Sequence, residues 1–177
     1  MELITPLFSR IPHLGLSFMP ITMMFAADMV KKPYKEYATR AEVQAAGQLA
    51  VARAQIEVGA QLIGVGDAAS SQIGPELYAR FAFPRTKRLI DAIHQAGAAV
   101  RLHICGSISQ IGKELAKLEL DMLDVDSMNP MEKIRAVLGD AVWLCGNLDP
   151  VRSILNGTPG EIREETAAMG EYARSRS

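Results

Sequence analysis

The chain has 177 residues, a formal net charge of −1 and 49% hydrophobic residues, a composition typical of an ordinary globular protein with one substantial core. The near-neutral charge and the lack of any Lys/Arg-rich stretch argue against a nucleic-acid partner. Its two cysteines, Cys105 and Cys145, do not make a disulfide framework and fit a reducing cytoplasm. The apolar run at residues 21–29 is too short to span a bilayer and lacks the features of a signal peptide. We therefore expect a cytoplasmic protein without a membrane partner.

Strand-like and helix-like segments alternate along the chain. Gly59 and Gly139 stand where helix-ending glycines belong, and Pro84 predicts that the helix around it is kinked or divided in two. Thr158 and Glu161 have the spacing of a capping box, with a proline at the first helical position between them. In chain order we expect a helix at 40–58, a strand at 61–66, a helix at 75–97, a strand at 99–105, a helix at 109–118, a strand at 122–125, a helix at 130–138, a strand at 141–145 and a last helix that opens at 158.

This alternation predicts four parallel strands joined by right-handed helical crossovers. The strands are short continuous apolar runs, as expected where both faces of a parallel sheet are buried. The sequence therefore predicts an α/β fold of the (β/α)8 TIM-barrel type. Such a barrel typically needs about 250 residues, so we expect residues 1–177 to form a single partial barrel domain, with about half of the barrel's units, four in all, in 41–177. Residues 1–40 match the pattern poorly, although residues 19–27 fit the remains of an earlier strand.

Polar side chains cluster where the predicted strands end. In a TIM barrel, the carboxyl ends of the strands carry the chemistry, so these side chains are candidates for a functional site. The alternative is that the Asp and Asn side chains only hold loops and cap helix N-termini. The residues in question are Asp67, His103 with Cys105, Asp126, and Asn147 with Asp149.

The pair His103 and Cys105 is the strongest chemical signal among them. Side chains alternate across a strand, so residues i and i+2 project from the same face. An imidazole and a thiolate are two of the side-chain types that bind zinc. A catalytic zinc takes three protein ligands and keeps a fourth position open, so the pair alone is an incomplete site. The alternative is a buried strand that simply contains a His and a Cys.

Three blocks of sequence lie at the predicted strand ends. They are residues 66–78 (GDAASSQIGPELY), continuing to FP at 83–84 and KRLI at 87–90; residues 103–106 (HICG); and residues 146–150 (GNLDP), followed by LNGT at 155–158. In order and spacing, these blocks resemble the uroporphyrinogen decarboxylase superfamily, over about residues 40–177. That superfamily is a (β/α)8 barrel. It includes the decarboxylase of haem biosynthesis and zinc-dependent methyltransferases that move a methyl group from a corrinoid to a thiol such as coenzyme M.

The resemblance favours the methyltransferase branch, because that branch has a His-x-Cys pair at this position. It implies a zinc cofactor held by His103 and Cys105, a methyl-corrinoid as substrate or as a group borne by a corrinoid protein, and a small thiol as methyl acceptor. The branch takes its third ligand from a second cysteine nearer the C-terminus, and this sequence has no counterpart of it. Cys145 is a candidate replacement, but a buried, inert thiol is the preferred interpretation.

The remaining candidates are given roles from their places near the predicted strand ends and within the resembling blocks. We assign catalytic roles to Asp67 and Tyr78, and substrate binding to Asp126, Asn147 and Asp149. The alternatives are that Asp67 and Asp126 supply oxygen ligands, that Tyr78 packs in the core, and that Asn147 and Asp149 only hold their loop.

Three functions stay open on the sequence alone. The first is a zinc-dependent methyltransferase acting between a corrinoid and a small thiol. The second is a metal-free uroporphyrinogen decarboxylase of haem biosynthesis, and the third is an inactive barrel fragment that acts by binding or self-association. A half-barrel exposes strand edges and apolar helix faces, so we also expect the chain to self-associate.

Overall fold

The structure, a computed structural model, describes the backbone of residues 34–173 and the side chains of residues 45–172. The early strand predicted at residues 19–27 lies outside the described residues. The helices and strands that follow are α1 (Tyr34–Glu57), β1 (Leu62–Asp67), α2 (Gly74–Leu77), α3 (Phe83–Gln95), β2 (Ala99–Ile104), α4 (Gly112–Leu115), β3 (Met122–Val125), α5 (Met131–Leu138), β4 (Trp143–Cys145) and α6 (Pro159–Ala173). Two π-helical turns are added to these, π1 (Tyr78–Ala82) and π2 (Pro150–Leu155).

The four strands form one parallel sheet in the order β1-β2-β3-β4. Each strand therefore pairs with its neighbour in sequence, and a helical segment connects every pair, which is the order of strands in a (β/α)8 barrel. The predicted fold class is confirmed: the chain has an α/β fold of the barrel type, and the described residues contain four of the eight strands of such a barrel.

The two faces of the sheet have different surroundings. On one face, which we call the outer face, Val100, Leu102 and Ile104 are almost completely buried in the hydrophobic core. The helices cover this face, since core residues such as Ile90 and Ile93 of α3 belong to the same cluster. The opposite face corresponds to the interior of a barrel, and we call it the inner face. Its side chains are partly exposed and more polar, and they include Arg101, His103, Asp124, Trp143 and Cys145.

The long helix predicted between β1 and β2 is interrupted by a π-helical turn just before Pro84, while the backbone stays helical throughout. Helix α2 runs into the turn π1, and α3 begins at Phe83 with Pro84 in its first turn. Proline lacks an N–H group and fits the first turn of a helix, where that group needs no partner within the helix.

The helix predicted at residues 109–118 is wrong in its length, because only Gly112–Leu115 are α-helical. Hydrogen bonds that span three residues flank this turn, from Ile111 N to Ile108 O at 3.1 Å and from Leu118 N to Leu115 O at 3.0 Å. The chain then leaves the helical conformation at Glu119, which has a φ of 54°. Strand β4 begins two residues later than predicted, and π2 was not expected at all. No helix in the described part of the chain is both long and apolar enough to cross a lipid bilayer.

Candidate metal and active site

The candidate site residues lie at the carboxyl-terminal end of the sheet. Because the four strands are parallel, the residues that follow the strands all lie at this end. The register places His103 of β2 between Gly66 of β1 and Asp124 of β3. The structure therefore brings the His-x-Cys pair and the loops after β1, β3 and β4 to the same end of the half-barrel, where barrel enzymes carry their chemistry.

His103 and Cys105 lie side by side on the inner face. The distance from His103 Nε2 to Cys105 Sγ is 3.2 Å, and Cys105 is exposed. Two such atoms bound to one tetrahedral zinc would be about 3.6 Å apart, as follows from ordinary Zn–N and Zn–S bond lengths. The pair therefore fits a shared zinc ion with a small adjustment of either side chain.

The described residues do not complete a metal site around this pair. Between residues 45 and 172, no three His, Cys, Asp or Glu side chains converge closely enough to hold a metal ion. Cys145 is half-buried on β4, and its Sγ lies 3.6 Å from Met122 Sδ. Burial and, to a smaller extent, the nearby Asp124 carboxylate raise the pKa of the Cys145 thiol, which makes it a poorer thiolate than an exposed cysteine.

Gly106 turns the chain away from β2 directly after Cys105. Its φ is 82°, and a Cβ added to it would lie 3.0 Å from Ser71 Oγ in the loop after β1. Its N–H donates to Asp126 Oδ2 at 2.9 Å, and its carbonyl accepts from Asn129 Nδ2 at 2.9 Å. The hydrogen bond from the Gly106 N–H is the main reason that the pKa of the Asp126 carboxyl is lowered.

Asn147 connects the loop after β4 to the loop after β3. Its Nδ2 donates to Asn129 O at 2.5 Å and to Asp126 O at 3.2 Å. Its backbone N–H points at Met169 Sδ of α6, 2.9 Å away. The Asn147 side chain therefore joins the loop after β4 to the loop after β3, and its backbone N–H contacts α6.

Asp149 holds the start of π2. Its Oδ1 accepts from the N–H groups of Val151 and Arg152, both at 2.8 Å. The hydrogen bond from the Arg152 N–H and, to a smaller extent, that from the Val151 N–H lower the pKa of the Asp149 carboxyl. The side chain has the contacts of a helix-capping residue, and its assignment to substrate binding stays a prediction.

Asp67 and Tyr78 are both deeply buried. Asp67 Oδ1 accepts from Ser70 N at 2.9 Å and from Ala69 N at 3.2 Å, and its Oδ2 accepts from Ser70 Oγ. The Tyr78 hydroxyl is fully buried, and no group among the described residues is hydrogen-bonded to it. Burial, followed by the Asp67 charge, raises the pKa of Tyr78 above its ordinary value. The catalytic roles assigned to the two residues stay predictions.

Two polar features of the site were not found from the sequence. Asn129 is 1% exposed and makes three side-chain hydrogen bonds, although it had no assigned role. Its position three residues after Asp126 is the only local signal, since Asp and Asn at the end of a strand often bond to the backbone nearby. The second feature is a bifurcated hydrogen bond on the inner face, in which Arg101 Nε donates to both carboxylate oxygens of Asp124, at 2.9 Å and 2.7 Å.

The chain is similar in sequence to known proteins of two kinds. Methylcobamide:CoM methyltransferase MtbA from Methanosarcina mazei is 32% identical over 116 residues, which cover 64% of this chain and 34% of that protein. A uroporphyrinogen decarboxylase from a Synechococcus species is 34% identical over 124 residues, covering 69% of this chain and 33% of its own length. The chain thus spans about a third of the length of these curated relatives.

A solved structure described as a methyltransferase from Methanosarcina mazei has the same fold. It matches with a TM-score of 0.69 and 22% sequence identity, and the match covers 76% of this chain and 40% of the other. The sequence profile of the family described as uroporphyrinogen decarboxylase (URO-D) matches residues 16–177. The resemblance seen in the sequence blocks is thereby confirmed, and the chain belongs to the uroporphyrinogen decarboxylase family.

Proposed function

We propose that this chain serves a zinc-dependent methyl transfer in the cytoplasm, from a methyl-corrinoid to a small thiol of the coenzyme M type. The observation that carries the proposal is the distance of 3.2 Å between His103 Nε2 and Cys105 Sγ on the inner face of the sheet. The 32% identity to the MtbA protein of Methanosarcina mazei supports the same branch of the family.

In this proposal His103 and Cys105 hold the metal, and a ligand from outside the described residues completes the site. A bound zinc ion would supply the chemistry that converts a coordinated thiol to its nucleophilic thiolate. The exposed position of Cys105 leaves the pair open to a substrate that approaches from the inner face. Strand β2 is a rigid support for the pair, because it is hydrogen-bonded to β1 on one side and to β3 on the other.

The direct test is methyl transfer from free methylcobalamin to 2-mercaptoethanesulfonate, with zinc present. We expect the parent chain to form the methyl thioether, and Cys105→Ser to lower the rate by at least about tenfold because a metal ligand is lost. Cys145→Ser is the matched control, since it removes the other thiol, and we expect it to retain the parent rate. Transfer that is equally fast in Cys105→Ser and the parent would contradict the proposal.

The second candidate is a metal-independent tetrapyrrole decarboxylase. It is favoured by the 34% identity to the Synechococcus uroporphyrinogen decarboxylase, and its active groups would be Asp67 and Tyr78. This candidate predicts release of CO2 from uroporphyrinogen that continues in the presence of a zinc chelator and falls in Asp67→Asn. Absence of CO2 release from the parent chain would dismiss it.

A further inference from the structure

The backbone of Gly106 is held from both sides by side chains of the loop after β3. Asp126 Oδ2 accepts a hydrogen bond from Gly106 N, and Asn129 Nδ2 donates to Gly106 O, each at 2.9 Å. These two side chains are called the Gly106 clamp below. The Gly106 N–H belongs to the peptide unit that joins it to Cys105, and the Gly106 C=O belongs to the next one. Two consecutive peptide units are therefore held, and the first of them directly follows the Cys105 Cα.

Asn129 is built into this position rather than resting on the surface. It is 1% exposed, and its Oδ1 accepts from the N–H of Ile108 at 2.9 Å. Its Nδ2 donates a further bond to Asp126 O at 3.2 Å. The side-chain amide therefore uses its acceptor and both of its donors, and it joins the turn after Cys105 to the loop that carries Asp126.

We infer that Asp126 and Asn129 are positioning residues, which orient the Cys105 thiolate toward His103 by fixing the peptide units on the two sides of Gly106. Asn129 thereby has a role in the site, and Asp126 has a role other than substrate contact. The expected effect on zinc affinity rests on the proposed zinc function. Hydrogen-bond partners that orient a metal ligand typically change metal affinity by about 10- to 100-fold when they are removed.

The first part of the test measures zinc affinity by competition with a chromophoric chelator. We expect Asn129→Ala and Asp126→Ala each to weaken zinc binding by about tenfold. Gln72→Ala is the matched control: its side-chain amide also donates to a backbone oxygen, Ala68 O at 3.2 Å in the loop after β1, rather than to Gly106 or the clamp, so its loss should leave zinc affinity within about twofold of the parent. Parent-like zinc affinity in both clamp variants would overturn the inference.

The second part measures amide hydrogen exchange by NMR in the metal-free protein. The clamp predicts that the N–H groups of Gly106 and Ile108 are protected although they lie outside the strands, and that Asn129→Ala speeds exchange at Ile108 by about tenfold or more. Exchange at strand amides such as that of Leu102 serves as the internal reference for global destabilisation. Exchange that rises equally at Ile108 and Leu102 would overturn the inference.

The two parts separate failure of the inference from failure of the proposed function. A parent chain that binds no zinc would defeat the proposed function, and the clamp would then be judged on exchange alone. Should Asn129→Ala fail to fold, Asn129→Asp replaces it, because it keeps the acceptor for Ile108 and loses the Nδ2 donor to Gly106 O and Asp126 O. Asn129→Asp must then show faster exchange confined to the turn after Cys105, or the inference is wrong.

Discussion

Gly106 is the residue at which the chain leaves β2 and the His-x-Cys pair. Its φ of 82° lies in the left-handed region, and a Cβ would also meet Ser71 Oγ at 3.0 Å. Both facts restrict the position to glycine, because side chains with a Cβ, and β-branched ones most of all, resist this backbone conformation. The turn that positions Cys105 therefore depends on a residue that has no side chain of its own.

We predict that Gly106→Val lowers the free energy of unfolding by about 2 kcal/mol or more, through backbone strain and the contact with Ser71. Chemical denaturation followed by far-UV circular dichroism measures the effect. Gly47→Val is a suitable control, since Gly47 lies in α1 with open space around it and should tolerate a side chain. A Gly106→Val protein as stable as the parent would place the end of β2 elsewhere.

The sequence could predict the neighbourhood of His103 and Cys105, because alternation along a strand is a local rule. It could not predict that Asn129 bonds to Gly106, 23 positions away in the chain. That contact depends on the register between β2 and β3 and on the exact path of two loops. Local pattern therefore located the candidate metal ligands and Asp126, but not Asn129.

The start of helix α6 was predicted correctly from the sequence. The predicted capping box is present: Glu161 N donates to Thr158 Oγ1 at 3.3 Å, and Thr158 N donates to Glu161 Oε2 at 2.7 Å. The helix begins at Pro159, between these two residues. Capping is decided by side chains within one turn, so it can be inferred from four residues.

We predict that Thr158→Ala lowers the free energy of unfolding by about 1 kcal/mol, because the first turn of α6 loses its capping oxygen. The change is measured as a shift in the urea midpoint. Thr166→Ala is the matched control: its hydroxyl bonds to Ile162 O within α6, a contact that contributes little to helix stability. Equal destabilisation by the two substitutions would mean that the capping box does not act as a cap.

The length of the helix between β2 and β3 was predicted incorrectly from the sequence. Apolar residues such as Ile111, Leu115 and Leu118 are at helical spacing, yet only one short turn is α-helical. All three are almost completely buried, and the segment is held by its packing rather than by a continuous helix. Periodicity predicts which side chains are buried, but it does not distinguish an α-helix from a series of tight turns.

Within the described residues, the inner face of the sheet carries side chains that are partly exposed. In the described part of the chain, β1 and β4 each pair with a single strand. Trp143 of β4 is 42% exposed on the inner face, beside the more polar Arg101 and Asp124. An edge strand that carries an exposed tryptophan is a typical site of association.

We predict that the chain self-associates at micromolar concentration in analytical ultracentrifugation, through this edge and face. Trp143→Glu should shift the distribution toward the monomer, since it places a charge in the contact. Val58→Glu, at an exposed position beyond the end of α1, should leave the distribution unchanged. A parent chain that sediments only as a monomer would contradict the prediction.

The zinc content per chain shows whether His103 and Cys105 belong to a metal site. Protein purified without chelators is analysed by elemental mass spectrometry for the parent and for His103→Ala, with His94→Ala as the control, because His94 lies 2.8 Å from Asp121 at the other end of the sheet. The account predicts close to one zinc per chain in the parent and in His94→Ala, and its loss in His103→Ala. Zinc that is absent from the parent, or that is retained in His103→Ala, would contradict a metal site at His103 and Cys105.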